Sequence, residues 1–179
     1  MGEEKQKGLI IVHTGSGKGK TTAAMGMALR GVGHHMKSLM IQFIKGSWKY
    51  GELEAVKALY PYFEIFPMGK GFIHVGKPGP EKEDVKAVSK AWECFETKVS
   101  SEEYDMIILD EINVAIHYGL LPLGPVLQAL QKKPAGLHLV LTGRNAPPDI
   151  VDTADLVTEM VEVRHPYNNG VPAQKGVEF

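Results

Sequence analysis

Gly15-Ser16-Gly17-Lys18-Gly19-Lys20-Thr21-Thr22 runs three alternating glycines into a lysine and two hydroxyl residues, directly after the apolar Leu9-Ile10-Ile11-Val12. Residues of these types in this order suit the holding of phosphate groups. Glycine lacks a Cβ, so the chain can turn tightly enough for successive N–H groups to face one concavity, and the helix that follows adds the positive end of its dipole. Lys20 then neutralises phosphate charge, and Thr21 carries a hydroxyl where a P-loop holds magnesium. The usual spacing has glycine where Thr14 stands, so the loop is a variant. A glycine-rich turn that binds nothing is the competing explanation. The apolar strand before it and the helix-forming Ala23-Ala24-Met25 after it weigh against that.

A second constellation is Met106-Ile107-Ile108-Leu109-Asp110-Glu111, an apolar run ending in two acids. A carboxylate delivered at the carboxyl end of a buried strand can hold magnesium directly or through water. Alone, such a run is common and reads equally as a helix cap; with the phosphate loop some ninety residues earlier, it predicts a magnesium-nucleotide site built from Thr21, Asp110 and Glu111. Glu111 is also the one group placed to order or deprotonate a water, as an ATPase would require. Thr142-Gly143-Arg144 follows a later strand, and Arg144 either brings a guanidinium to the phosphates or sits in a surface turn.

These residues need a frame. Short apolar segments at Leu9–His13, Ser38–Phe43, Phe63–Phe66, Met106–Asp110, Leu137–Thr142 and Leu156–Val163 alternate with helical segments at Thr21–Val32, Gly51–Leu59, Glu81–Val99, Pro122–Lys132 and Pro148–Ala154. That alternation predicts a three-layer α/β fold with a mainly parallel sheet. Ligands of such sheets gather at the carboxyl ends of the strands, where the polar residues above fall. Gly69–Pro80, rich in Gly, Lys and Pro, predicts an exposed loop across that end of the sheet. Residues 1–179 read as one domain without repeats.

Composition narrows the function. The net charge is -1 with no block of like charge, which argues against electrostatic binding of nucleic acid or a membrane. One cysteine, Cys94, allows no internal disulfide, and no apolar stretch approaches the roughly 20 residues of a membrane span. Met1–Gly8 is short and charged, without a signal-peptide core. A reducing cytoplasm is the expected setting.

Over nearly the whole chain the motifs resemble those of ATP:corrinoid adenosyltransferases of the P-loop type. The resemblance rests on Gly15–Ala24, Ile41-Gln42-Phe43-Ile44-Lys45-Gly46-Ser47-Trp48, Leu109-Asp110-Glu111, Tyr118–Leu123 and Leu141-Thr142-Gly143-Arg144, in that order. Arg164-His165-Pro166-Tyr167, Gly170–Gln174 and Gly176–Phe179 complete it. It implies a RecA-like P-loop fold, a homodimer, and transfer of the 5'-deoxyadenosyl group of ATP to the cobalt(I) of a corrinoid, cobalamin or a precursor, with release of tripolyphosphate. Magnesium as cofactor and a flavoprotein as reductant come with it. Cobalt(I) carries no proton to remove, so the attack on C5' needs no general base; orienting ATP and stabilising the departing triphosphate suffice. The resemblance also implies that ATP lies across the loop in reverse of ordinary P-loop enzymes.

Gly69-Lys70-Gly71-Phe72-Ile73-His74 aligns with a family stretch of the type Gly-Phe-x-Trp, whose two rings cover the lower face of the corrin. Phe72 matches and His74 departs. A flat ring packed there keeps cobalt(II) four-coordinate and easier to reduce, whereas a coordinating imidazole would oppose the chemistry, so packing is expected of His74. Ser16 replaces the family's common Asn, with ATP binding expected to survive. Many relatives carry an N-terminal extension that helps close the site, and its loss would leave the pocket more open to water. A P-loop ATPase or kinase cleaving at the γ-phosphate, and a module that stores nucleotide or corrinoid, remain as alternatives.

Other residues take plainer readings. His34 and His35 are adjacent and point apart, and His13, His117 and His138 lack ligand spacing. Cys94, beside Trp92 and Phe95, reads as a small core residue. Trp48 is expected near the site, without an assigned role.

Overall fold

The computed structural model describes residues 7–46, 50–71 and 81–178. Six strands form one sheet: β1 (Ile10–Thr14), β2 (Ser38–Gln42), β3 (Phe63–Pro67), β4 (Met106–Asp110), β5 (His138–Thr142) and β6 (Leu156–Glu159). Their order is β3-β2-β4-β5-β1-β6, and every neighbouring pair is parallel. Helices α1 (Lys20–Val32), α2 (Gly51–Ala55), α3 (Lys82–Ser100), α4 (Ile112–His117), α5 (Leu123–Lys132) and α6 (Pro148–Thr153) connect them, with 3-10 turns at Val56–Leu59 and Pro166–Asn169.

The layers follow from the period-2 alternation of the strands. Ile11, Met40, Ile108 and Val140 point to one face, where Ala24 and Ala28 of α1 cover them. Val12, Leu39, Ile41, Ile107, Leu109, Leu139 and Leu141 point to the other, under Trp92 and Phe95 of α3, Ile112 of α4, Val126 and Leu130 of α5 and Ile150 of α6. Sheet residues buried on both faces read as near-continuous apolar runs, as parallel strands require. Truncating one of them, such as Leu109 to Ala, costs about 2–5 kcal/mol. Cys94 packs beside this second core, and burial pushes its thiol up, against the pull of Lys98, as suits an inert core residue.

One expected boundary moves, and one helix is unexpected. The apolar segment Leu156–Val163 predicted a strand to Val163, but β6 stops at Glu159, which pairs with Thr14, the last residue of β1. Beyond it the neighbouring chain turns into the glycine loop: Met160 N still donates to Thr14 O and Met160 O accepts from Gly17 N, but the regular ladder ends there. Helix α4 was not predicted: its six residues are too few to show a 3.6-residue period, and Glu111 at its head takes a left-handed conformation, φ 63°, without a side-chain cap.

The turn after β3 is fastened to the turn after β2. Met68 N and Gly69 N donate to Gln42 O at 3.1 and 3.2 Å, Gly69 N also to Lys45 O at 3.0 Å, and Gly71 N to Ile44 O at 2.9 Å. A Cβ on Gly69 would lie 2.1 Å from Ile44 O, so only glycine fits that approach.

Candidate active site

At the carboxyl edge of the sheet a row of polar side chains crosses four strands: His13 on β1, Thr142 on β5, Asp110 on β4 and Gln42 on β2. All four are buried. Register places His13 beside Thr142 and Gln42 beside Asp110. Buried polar groups are costly unless hydrogen-bonded, and Thr142, Asp110 and Gln42 bond to one another. Thr142 Oγ1 donates to Asp110 Oδ1 at 2.8 Å, Gln42 Nε2 donates to Asp110 Oδ2 at 3.2 Å, and Thr142 Oγ1 accepts from Glu111 N at 2.9 Å. His13 Nδ1 faces Lys20 O at 3.3 Å; burial lowers its pKa, and this contact opposes the drop.

Residues 15–19 turn between β1 and α1. Gly15 has φ 94° and Gly19 φ 105°, values that glycine adopts freely. The chain leaving β6 packs against this turn: Gly17 N donates to Met160 O at 2.6 Å, and a Cβ on Gly15 would meet Met160 O at 2.4 Å. The Gly17 N–H is therefore committed within the fold, leaving the other N–H groups of residues 15–22 as candidates for a phosphate. Glu162 N lies 3.4 Å from Ser16 Oγ, and Lys18 Nζ pairs with Glu178 Oε2 at 2.5 Å, so the tail reaches the same loop.

Lys20 is buried, and its ammonium donates to Gly15 O at 2.9 Å and to Gly17 O. Burial lowers its pKa, Glu111 opposes that, and Arg144 and Lys18 add to it. Thr21 Oγ1 donates to Asp110 Oδ1 at 2.8 Å, bringing the start of α1 against the end of β4. A hydroxyl that gives its proton to Asp110 keeps its lone pairs for a cation. Burial raises the Glu111 pKa and Asp110 raises it further, with Lys20, Lys45 and Arg144 pulling the other way. Arg144 is exposed, in the turn after Gly143, whose carbonyl accepts from Asn113 Nδ2 at 3.3 Å.

The fold thus gathers Gly15–Thr22, Asp110 and Glu111 at one edge and leaves Arg144 within electrostatic reach. Phe72, His74 and Trp48 lie outside the described residues. Thr21, Asp110 and Glu111 offer hard oxygen donors of the kind magnesium takes, with few protein ligands and the remainder from water and phosphate. The buried Gln42 Oε1 has no partner beside them. Among the described residues no group of three or more His, Cys, Asp or Glu side chains could hold a metal ion. Sequence reasoning quotes Gln42 and Thr142 within motifs but gives neither side chain a role; their positions at the ends of apolar strands are the available signal.

Comparison with known proteins places these residues in context. The family model described as ATP:corrinoid adenosyltransferase BtuR/CobO/CobP matches residues 6–179. A corrinoid adenosyltransferase of Sinorhizobium sp is 42% identical over 176 residues, covering 97% of this chain and 81% of that protein. One from Pseudomonas aeruginosa is 38% identical over 174 residues (97% and 85%), and one from Escherichia coli K12 is 38% identical over 176 residues (98% and 88%).

Proposed function

Because this chain belongs to the ATP:corrinoid adenosyltransferases, we propose that it is a transferase that moves the 5'-deoxyadenosyl group of ATP to the cobalt(I) of a corrinoid, releasing tripolyphosphate, in adenosylcobalamin synthesis or salvage. The observation that carries this reading is the family match over residues 6–179, supported by the contact between Thr21 and Asp110 at the head of the glycine loop.

In this reading the chain acts as a single catalytic domain. Lys20 and the uncommitted N–H groups of Gly15, Ser16, Lys18, Gly19, Thr21 and Thr22 hold the triphosphate, with Arg144 at its edge. Thr21, Asp110 and Glu111 would hold Mg2+, which when bound neutralises phosphate charge. Cobalt(I) of the corrinoid substrate attacks C5'; the C5'–O bond breaks and its electron pair leaves on the triphosphate oxygen, so cobalt is formally oxidised to cobalt(III). No proton moves, and the task of the loop is to keep the triphosphate in line and its growing charge stabilised. Phe72 and His74 are proposed to cover the lower face of the corrin. A homodimer, a flavoprotein reductant and a cytoplasmic setting belong to the same proposal; among the described residues no helix is long and apolar enough to cross a membrane.

The test is an anaerobic assay with chemically reduced cob(I)alamin and magnesium-ATP, following corrinoid absorbance and identifying the phosphate product. Adenosylcobalamin with intact tripolyphosphate, both lost in Lys20→Ala, is the expected result. ADP and phosphate with unchanged corrinoid would replace it with cleavage at the γ-phosphate.

A further inference from the structure

Lys45 has no part in the assignments above, although it stands at the same edge. It follows β2 by three residues, beside the strand that ends in Asp110 and Glu111. Its side chain is 25% exposed. Among the described residues its ammonium has one hydrogen-bond acceptor, Glu52 Oε1 at 3.0 Å, and the Tyr50 ring lies 5.0 Å away. An ammonium carries three donors, so two remain.

Two features separate this pair from an ordinary surface ion pair. Glu52 is 14% exposed, so both charges have given up much of their water, which costs more than a solvated pair returns. The local packing does not demand it either, because α2 buries none of its own residues. The carboxylate edge supplies the missing reason. Burial alone would lower the Lys45 pKa, but Asp110, then Glu52, outweigh it and leave the pKa raised; Lys45 in turn opposes the rise at Glu111. Its backbone is fixed by the bond from Gly69 N to Lys45 O, so the stem departs from a set point.

In the order β2-β4-β5-β1, β2 lies three strand places from the strand that feeds the glycine loop, about 14 Å at roughly 4.8 Å per strand. Lys20 stands at one end of that span, and a four-carbon lysine stem is long enough to cover part of it from the other. We infer that Lys45 is a second phosphate-binding lysine, whose free N–H groups take oxygens of the ATP triphosphate at the end remote from Gly19–Thr21, with Glu52 and Tyr50 holding the ammonium in place. This rests on the reading that the site holds a triphosphate, and it adds a contact outside the P-loop.

The experiment is calorimetric titration of the full chain with inorganic tripolyphosphate and magnesium, comparing wild type, Lys45→Gln and Lys45→Arg, alongside the KM values for ATP and cob(I)alamin. Lys45→Gln is expected to weaken tripolyphosphate binding about tenfold and raise the ATP KM, the scale of one charge-assisted bond. Lys45→Arg restores most of it, and the corrinoid KM stays unchanged, while Lys45→Gln lowers the thermal midpoint by leaving Glu52 unpaired and Lys45→Arg does not. Equal tripolyphosphate affinity in wild type and Lys45→Gln overturns the inference while leaving the transferase reading intact, as does a loss confined to the corrinoid KM. A wild-type chain that binds no tripolyphosphate overturns both.

Discussion

Thr21 Oγ1 and Asp110 Oδ1 meet at 2.8 Å although 89 residues separate them in the chain. The same carboxylate oxygen accepts from Thr142, and the other accepts from Gln42, so three elements fix Asp110 from three sides. An acid so held presents one orientation to a cation, with little reorganisation left for the moment of binding.

Thr142 is the hub of that arrangement, since its hydroxyl gives to Asp110 and receives from Glu111 N. Thr142→Val keeps the shape and removes both bonds, leaving a partly buried N–H without an acceptor. A loss of about 1–3 kcal/mol is expected, and at about 2–4 °C per kcal/mol for a domain of this size it is readable as a lower thermal midpoint. Transferase activity should fall with it; an unchanged midpoint and rate would remove Thr142 from the site.

Two glycines in adjoining segments predict opposite signs. Gly15 has φ 94° and no room for a Cβ beside Met160 O, so Gly15→Ala should destabilise the chain and weaken ATP binding. Gly26 lies exposed inside α1 with no atom within 4 Å of its Cβ position, so Gly26→Ala should stabilise by about 0.5–1 kcal/mol. Denaturant melts of the two variants settle the comparison, and equal shifts would contradict it.

Glu111 links stability to pH. Burial, and then Asp110, hold its pKa above the ordinary glutamate range, so the folded chain binds this proton more tightly than the unfolded one. Stability should fall as pH rises from the ordinary value through the raised one. Glu111→Gln removes this contribution: without magnesium, the variant should melt higher than wild type above that window, and the gap should close as pH falls below it. Its transferase activity should be lost throughout. A gap that widens on acidification would reverse the assignment.

His74 is expected to pack as a flat ring against the corrin and leave the cobalt alone. The EPR spectrum of bound cobalt(II) corrinoid should therefore show no protein nitrogen coupling and change little in His74→Ala. Five-coordinate cobalt(II) whose nitrogen coupling disappears in that variant would show the imidazole to be a ligand.

Much of this site was legible because its chemistry is carried by local patterns. The glycine loop and the Asp110-Glu111 pair each follow an apolar run whose burial forces it into the sheet, and their meeting follows from parallel topology. What escaped depended on contacts between distant segments. Thr142 and Gln42 are ordinary strand-end residues until register sets them beside Asp110. The strand expected to reach Val163 ends at Glu159 because its neighbour turns away, which its own apolar run cannot reveal. Helix α4 begins at a left-handed Glu111, a conformation that no local rule assigns to glutamate.

The fastening of residues 68–71 to residues 42–45 is made by main-chain atoms alone. Other side chains there can be exchanged without undoing it, provided Gly69, which has no room for a Cβ, and Gly71, with φ 120°, are kept. Gly71 is therefore held at a fixed point beside the carboxyl edge of the sheet. A transplant of residues 72–80 from a relative with a different corrinoid preference should carry that preference with it, making this junction a natural seam for recombination.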